Sequence, residues 1–357
     1  MKLLIATGGT GGHIYPAIAL ADAAKQRYKD IEILFVGNED RMEAKEVPAH
    51  GYAFIGLKAS GLTGNPYKKV KAIAQMANAY RKAKSIIEDF QPDIAIGFGG
   101  YVSAPVMLAA HKKKIKTIIH EQNSVVGLSN KVVAKYMDAI VICYEKCFEE
   151  FGKEKTFLLG NPRATNAAHA LLDEQYYQSL QLSSQKPLIL VVMGSLGSTS
   201  INEIMKDALP KVSSDYEILF VTGKNNYEQM KKQIHVSHVH VVDYVRQLDI
   251  MKKVDLIICR AGATTAAEIT ALGVPSILIP SPYVAHNHQY YNASELVDKK
   301  AALMIEEKDL NAESLNKNIE KIMKYPEMRK QMKQAALELG KPNASNDILD
   351  LCDKLRR

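Results

Sequence analysis

No two cysteines in this chain are spaced Cys-x-x-Cys, and its four cysteines, Cys143, Cys147, Cys259 and Cys352, form no cluster with histidine at zinc-binding spacing. No structural metal is implied, and a reduced, cytosolic protein is the simple expectation. Asp-x-Asp occurs nowhere, so the metal-carboxylate route to a nucleotide diphosphate is not visible. Long apolar runs are missing too. After Lys2 only four apolar residues precede a run of glycines, without a small-residue cleavage pattern, which argues against a signal peptide. The uncharged, apolar stretch Ile94 to Ala110 is interrupted by Gly97, Gly99, Gly100 and Pro105 and is too short to span a bilayer comfortably. Lys and Arg are not interleaved with aromatics in a dense stripe, so nucleic acid is not expected as a partner. Nothing in the sequence calls for a cofactor.

What is present is enough for two domains: 357 residues, 47% of them hydrophobic. The formal charge of +7 is uneven. Residues 1 to 160 hold 22 Lys and Arg against 16 Asp and Glu, leaving 24 against 23 for the rest. A basic first half permits anionic partners, whether phosphorylated substrates or an acidic membrane surface.

The chain opens on Leu3-Leu4-Ile5-Ala6, continues through Thr7-Gly8-Gly9-Thr10-Gly11-Gly12-His13, and enters a helical pattern from Pro16 to Ala24. A buried strand that turns through glycines into a helix aims backbone N–H groups and a helix dipole at one point, which suits phosphate. The loop has no Gly-Lys-Ser/Thr ending and no full Gly-x-Gly-x-x-Gly spacing, so it is neither a P-loop nor a dinucleotide fingerprint.

Short β-branched runs then alternate with helical stretches: Ile31 to Val36, Asp93 to Phe98, Thr117 to His120 and Ala139 to Ile142, then Leu188 to Met193, Glu217 to Val221, Val239 to Val242, Leu256 to Cys259 and Ser276 to Ile279. Such runs predict two parallel α/β sheets with crossover helices. The halves echo each other. Leu188 to Gly197 resembles the opening strand and turn, and Ile96 to Tyr101 parallels Ile258 to Ala263. Each half therefore carries two glycine turns at strand ends, where doubly wound sheets bind ligands. The linker is expected near Gly160-Asn161-Pro162-Arg163, and Gly340 to Ser345 sets off a last helix, Asn346 to Leu355, that could return to the first domain. The domains are read as 1–161 plus 342–357, and 162–341.

A helical pattern from Pro66 to Phe90 places Val70, Ile73, Ala77, Tyr80, Ala83 and Ile87 at three- and four-residue steps, edged by Lys68, Lys69, Lys71, Arg81, Lys82 and Lys84. An ordinary surface helix and a membrane-surface helix both fit. With Lys112-Lys113-Lys114 on the same face, anionic headgroups would attract it at up to about 1 kcal/mol per charge.

Polar clusters follow two of the predicted strands. His120-Glu121-Gln122-Asn123 places a carboxylate and two amides at a strand end. Ala263-Thr264-Thr265 opens a helix whose first-turn N–H groups and hydroxyls suit a diphosphate, with Glu268 a turn further on, able to accept from ribose hydroxyls. His286-Asn287-His288-Gln289 with Asn292 reads as sugar-hydroxyl recognition; its two histidines lack a third metal ligand.

Together Gly8-Gly9-Thr10-Gly11-Gly12-His13, Gly99-Gly100-Tyr101-Val102-Ser103, His120 to Asn123, Gly160 to Arg163, Gly194-Ser195-x-Gly197, Arg260 to Ala263, Glu268 and His288-Gln289-x-x-Asn292 resemble the MurG family of membrane-associated bacterial glycosyltransferases. The resemblance covers essentially the whole chain. It implies a GT-B fold, two Rossmann-like domains facing across a cleft, and an inverting transfer of N-acetylglucosamine from UDP-N-acetylglucosamine to the C4 hydroxyl of an undecaprenyl-diphosphate-linked MurNAc-peptide. The second domain would hold the UDP-sugar and the first the lipid acceptor, peripherally at the cytoplasmic face of the cell membrane on an anionic membrane surface. Other cell-wall synthesis proteins are a further class of partner. His13 is implied as the base, with Glu121 and Asn123 beside it. Thr10, Gly11, Gly12 and Asn123 would contact substrate, and Gly9, Gly12, Gly99, Gly100 and Tyr101 the acceptor diphosphate. Ser195, Ala263, Thr264 and Thr265 would contact donor phosphate, Glu268 the ribose, and Gln289 the sugar hydroxyls.

Two departures stand out. Many relatives read Gly-Gly-Ser-Gln-Gly at the donor loop, where this chain has Met193 and Leu196. Many have Asn-Pro-Val-Arg at the linker, so the donor-contacting Arg, here Arg163, sits one place earlier. An epimerase of related fold acting on UDP-N-acetylglucosamine, and a non-catalytic UDP-sugar-binding subunit, are the competing readings.

Overall fold

The computed structural model describes residues 1–61, 65–183, 185–194 and 197–357. The chain forms two compact units, one of Met1–Thr165 with Asn343–Arg357, the other of Asn166–Pro342. The first division falls inside the helix Pro162–His169 rather than in the Gly160 turn before it.

The first unit is built on seven strands: β1 (Lys2–Ala6), β2 (Glu32–Asn38), β3 (Ala53–Leu57), β4 (Ile94–Gly97), β5 (Lys116–Glu121), β6 (Ala139–Ile142) and β7 (Thr156–Leu158). They lie in the order β3-β2-β1-β4-β5-β6-β7, and every neighbouring pair is parallel. Leu3, Leu4, Ile5, Ile94, Ile96, Ile118 and Ile119 are fully buried, as expected of strands covered on both faces by helices. The last helix, Ala344–Arg356, does return here. Its Ile348, Leu349 and Cys352 join the core with Ile14 and Ala17, and Arg27 pairs with Asp350 at 2.6 Å and Asp353 at 2.8 Å.

The second unit has six strands: β8 (Leu188–Val192), β9 (Glu217–Val221), β10 (Val239–Val242), β11 (Val254–Cys259), β12 (Ser276–Leu278) and β13 (Ala302–Met304). Their order is β10-β9-β8-β11-β12-β13, again parallel throughout. It matches the first sheet less its seventh strand, so the internal echo in sequence reflects a repeated topology. In each sheet the chain order reverses between the first and fourth strands, β1 and β4 or β8 and β11. These are the strands whose turns carry the glycines, and they flank the crevice where such sheets bind ligands.

The sequence pattern misses β3, β7 and β13. All three are edge strands; β7 and β13 are only three residues long, and Gly56 interrupts the apolar run of β3, whose residues before Leu57 alternate exposed and half-buried. The glycine loop also enters its helix earlier than expected, at Gly11, with Pro16 inside the helix Gly11–Arg27.

The helix Pro66–Phe90 forms over its full predicted length, with Asn65 capping it by accepting from the Lys68 N–H at 2.9 Å. Its buried face follows the predicted stripe only in its second half, where Ala83 and Ile87 are buried and Tyr80 is half-buried. Ala72, Ala79, Ala83 and Ile87 are buried, while Val70, Ile73 and Ala77 are exposed. Alanines let the second half of the helix approach Val106, Met107 and Ala110 of the helix Ser103–Lys112 closely. The first turns extend past that support, leaving Tyr67, Val70 and Ile73 at 76%, 66% and 59% exposure beside exposed Lys68, Lys69 and Lys71. Lys113, half-buried, pairs with Glu88 of the same helix. Among the described residues no helix is long and apolar enough to cross a membrane.

Candidate active site

In the first unit three strand-end loops interlock. After β1, Gly8 is buried and Gly9 takes φ +97°, which admits glycine far more readily than any other residue. Thr10 has the extended backbone of an N-cap and its carbonyl accepts from the N–H groups of His13 and Ile14. That leaves the amides of Gly11 and Gly12 at the open end of a 17-residue helix.

The turn after β4 is shaped to the first. Gly100 has φ +83°, and a Cβ there would run into the Gly8 carbonyl; a Cβ on Gly99 would sit 3.2 Å from Cδ2 and Nε2 of His13. The His13 ring thus rests against Gly99. Its Nδ1 lies 2.9 Å from the Gly8 carbonyl, which only accepts, so Nδ1 carries the proton and the neutral ring keeps a lone pair on Nε2. Tyr101 is half exposed, with its ring against Gly61.

The loop after β5 holds the scaffold. His120 is buried, stacks on Phe98 and donates from Nε2 to the Gly160 carbonyl at 3.0 Å. Burial lowers its pKa to about 4, with a smaller contribution from the charge of His13, so it is a neutral structural ring. Glu121 is 2% exposed. Its Oε1 accepts from the Asn123 N–H at 3.1 Å, and its Oε2 from the Gly127 N–H at 2.9 Å and Asn130 Nδ2 at 3.0 Å. With three donors engaged, Glu121 shapes the turn that carries half-buried Asn123. The Gln122 amide donates to the Phe98 carbonyl at 2.9 Å, and Ser129 Oγ to the Gly100 carbonyl at 3.0 Å, tying this loop to the one after β4.

Glu43 escaped the sequence reading. It lies on the helix Glu43–Ala49, is fully buried, and accepts from the Gly9 N–H at 3.1 Å and the Asn38 N–H at 2.9 Å. The Gly9 amide is therefore turned inward to Glu43, and donors to a ligand at this loop fall to Thr10, Gly11 and Gly12.

The second unit repeats the plan. The helix Ala263–Leu272 starts from Gly262, at the end of β11. Ala263 is buried; Thr264 and Thr265 are half-buried in the first turn, and the Thr264 hydroxyl is a buried oxygen without a hydrogen-bond partner among the described residues. Glu268 is 4% exposed and accepts from Gln247 Nε2 at 3.3 Å. Burial raises the pKa of the Cys259 thiol, and the Glu268 charge adds to that rise. Arg260 pairs with Glu307 at 2.8 Å and donates to the Ile279 carbonyl at 3.2 Å, locking the β11 end to the segment beyond β12.

Asn292 is buried and donates to the Ala261 carbonyl at 3.2 Å, fixing the helix His288–Asp298 to the same turn. Just before it, His286 and Asn287 both take left-handed backbone, with φ +54° and +50°, unusual for two consecutive non-glycine residues. The Gln289 side-chain oxygen Oε1 accepts from the Ser281 N–H at 2.9 Å, so its amide ties the start of this helix to the loop after β12. Gly194 and Gly197 have φ +87° and +72° in the turn after β8; Ser195 and Leu196, between them, lie outside the described residues. Arg163 is in the first turn of the Pro162–His169 helix and donates its backbone N–H to Asn161 Oδ1 at 3.0 Å.

Two family models match: the glycosyltransferase family 28 N-terminal domain over residues 3–142 and its C-terminal domain over residues 188–348. A crystal structure of Acinetobacter baumannii MurG superposes with a TM-score of 0.82 at 25% identity, covering 99% of each chain. A UDP-N-acetylglucosamine 2-epimerase structure from Listeria monocytogenes, at 15% identity and a TM-score of 0.72, shares the fold alone, over 99% of this chain and 96% of its own. The two parallel-sheet units and the matched models define a GT-B glycosyltransferase. A UDP-N-acetylglucosamine–N-acetylmuramyl-(pentapeptide) pyrophosphoryl-undecaprenol N-acetylglucosamine transferase from Limosilactobacillus reuteri is 41% identical over 99% of this chain and 98% of its own. Its counterpart from Halalkalibacterium halodurans is 41% identical over 98% of both chains. The chain belongs to the MurG family of glycosyltransferase family 28.

Proposed function

We propose that the protein transfers N-acetylglucosamine from UDP-N-acetylglucosamine to the C4 hydroxyl of a MurNAc-pentapeptide carried on undecaprenyl diphosphate, inverting the anomeric centre to give a β-1,4 linkage. One observation carries this reading: the glycine loops and His13 are present in a chain 41% identical, nearly end to end, to transferases of that description. In the transfer the acceptor oxygen bonds to the anomeric carbon as the bond to the UDP oxygen breaks. The hydroxyl proton passes to Nε2 of His13, and UDP leaves with the bonding electrons.

Each unit has a share in this. In the first, Thr10, Gly11 and Gly12 meet the acceptor diphosphate at the helix end, with Gly99, Gly100 and Tyr101 forming the adjoining wall. Gly9 shapes that loop rather than donating to the ligand. His13 is the base, and Glu121 fixes the turn that presents Asn123. In the second unit, Ser195 and the Ala263–Thr265 turn receive the donor diphosphate and stabilise the charge that grows on it, without a step that requires a metal. Glu268 accepts from the ribose hydroxyls, Gln289 meets the sugar hydroxyls, and Arg163 approaches the donor from the linker.

The exposed Tyr67, Val70 and Ile73 with Lys68, Lys69 and Lys71 support peripheral attachment to an anionic membrane surface, at the cytoplasmic face where the lipid-linked acceptor would be presented. Other cell-wall synthesis proteins would meet the enzyme on the same surface. The test is UDP release from UDP-N-acetylglucosamine with and without the lipid-linked acceptor. Release that requires acceptor supports transfer; isomerisation of the donor without acceptor would instead make this an epimerase.

A further inference from the structure

The Gly8 carbonyl and the Gly9 N–H belong to one peptide group, and that group is bonded at both ends. On one side the Gly9 N–H donates to Glu43 Oε2 at 3.1 Å; on the other the Gly8 carbonyl accepts from His13 Nδ1 at 2.9 Å. We propose that Glu43 is a positioning residue for the base, acting on His13 through the Gly8–Gly9 peptide as a carboxylate–peptide–imidazole relay. The inference rests on the reading of His13 as the base.

Glu43 is built in rather than incidental. It is fully buried, and its other oxygen accepts from the Asn38 N–H at 2.9 Å. Two glycines leave room for it: a Cβ on Gly37 would lie 2.6 Å from Glu43 Cγ, and one on Gly8 would collide with its carboxylate. Asn38 is fixed in turn, accepting from the Ala59 N–H at 2.9 Å through its side-chain oxygen.

A negative charge beneath a loop that receives a diphosphate opposes that ligand, so anion affinity does not account for Glu43. Polarisation does. A carboxylate accepting from a peptide N–H draws electron density toward the carbonyl of the same peptide, and hydrogen bonds in such a chain strengthen one another. The Gly8 carbonyl becomes a better acceptor, which holds the proton on Nδ1 and leaves Nε2 able to take one. It also stabilises the imidazolium formed in the transfer, the task a directly bonded carboxylate performs in a Ser-His-Asp triad. Here the peptide stands between, so the two side chains need not touch. His120 of β5 lies within electrostatic reach of His13, but burial keeps it neutral, so it places no charge beside the ring.

The test is a double-mutant cycle of Glu43→Gln and His13→Ala, with single-turnover transfer, acceptor KM and UDP-N-acetylglucosamine affinity measured for each variant. Glu43→Gln keeps the shape and removes the charge. It should slow transfer about tenfold, part of the 10²- to 10⁴-fold that a positioned base contributes. Donor affinity should stay within about twofold, and acceptor KM should not rise, because the charge removed opposes the diphosphate. In the His13→Ala background the same substitution should cost nothing further. An equal loss in both backgrounds, or none in the wild-type background, overturns the relay. Nitrogen NMR of the His13 ring separates this from the reading beneath it. If His13→Ala still turns over while Glu43→Gln shifts the ring from its Nδ1–H tautomer, the relay exists and the base assignment fails. If Glu43→Gln does not fold, the unaltered protein decides: a His13 ring protonated on Nδ1 with a Gly9 amide protected from exchange supports the relay, and an Nε2–H ring or a rapidly exchanging Gly9 amide refutes it.

Discussion

Nδ1 of His13 donates to the carbonyl of Gly8 at 2.9 Å, so the ring that opens the first helix is fixed in one tautomer by the loop that precedes it. The bond turns Nε2 toward the Gly99 turn, where φ +95° and the absence of a Cβ make room for the ring. The ring is thus held at a helix end with the Nε2 lone pair uncommitted to that bond, as the proposed role of base requires.

Replacing His13 with Ala should lower transfer by 10²- to 10⁴-fold, the range for loss of a general base. UDP-N-acetylglucosamine affinity should be unchanged, because the donor is assigned to the second unit. Steady-state transfer and calorimetric donor binding on the same preparation check both halves; undiminished turnover removes His13 from the chemistry.

For Glu268→Ala the expected outcome is the reverse. Hydrogen bonds to a charged group contribute about 1.5–3 kcal/mol, so UDP affinity should fall roughly 10- to 100-fold. Glu268→Gln, which keeps the volume, controls for the buried contact with Gln247. Equal affinity of both variants and wild type would refute the ribose assignment.

His120 makes stability depend on pH. Its pKa is lowered to about 4 in the folded protein against an ordinary value of 6.5. The unfolded chain therefore binds this proton first, and the stability present above pH 6.5 is lost as pH falls toward 4. The shift corresponds to about 3 kcal/mol at most. Hydrogen exchange of the β5 amides in denaturant should show this loss, and His120→Gln should flatten it; an unaltered slope would contradict a neutral His120.

Replacing Tyr67, Val70 and Ile73 with Ser should reduce co-sedimentation with anionic vesicles by at least about tenfold, since each such side chain contributes about 1.5–3 kcal/mol when buried. Transfer to a short-chain, freely dissolved acceptor should be unaffected. Unchanged sedimentation would make the Pro66–Phe90 segment an ordinary surface helix.

The central strands were legible because burial on both faces writes itself as unbroken apolar runs such as Leu188 to Val192, and the glycine turns because positive φ at Gly9, Gly99 and Gly100 leaves a residue signature. The edge strands were not, because Thr156–Leu158 and Ala302–Met304 are only three residues long and Gly56 interrupts Ala53–Leu57. The first half of the Pro66–Phe90 face was misread, with Val70 and Ile73 exposed, because the helix outruns its support, which periodicity cannot reveal. In the site, position along the chain brought out Glu121 and Glu268 and the family resemblance pointed to His13, but neither showed that Glu121 already holds three donors. Glu43 was invisible: its partner Gly9 lies 34 residues away, and no local pattern marks a carboxylate that a sheet crossover carries beneath a loop.

The most direct measurement is product formation. Incubated with UDP-N-acetylglucosamine and a short-chain lipid-linked MurNAc-pentapeptide, the protein should yield one UDP per β-1,4-linked GlcNAc-MurNAc disaccharide on the lipid. UDP release without that disaccharide, or a product of retained anomeric configuration, would contradict the account.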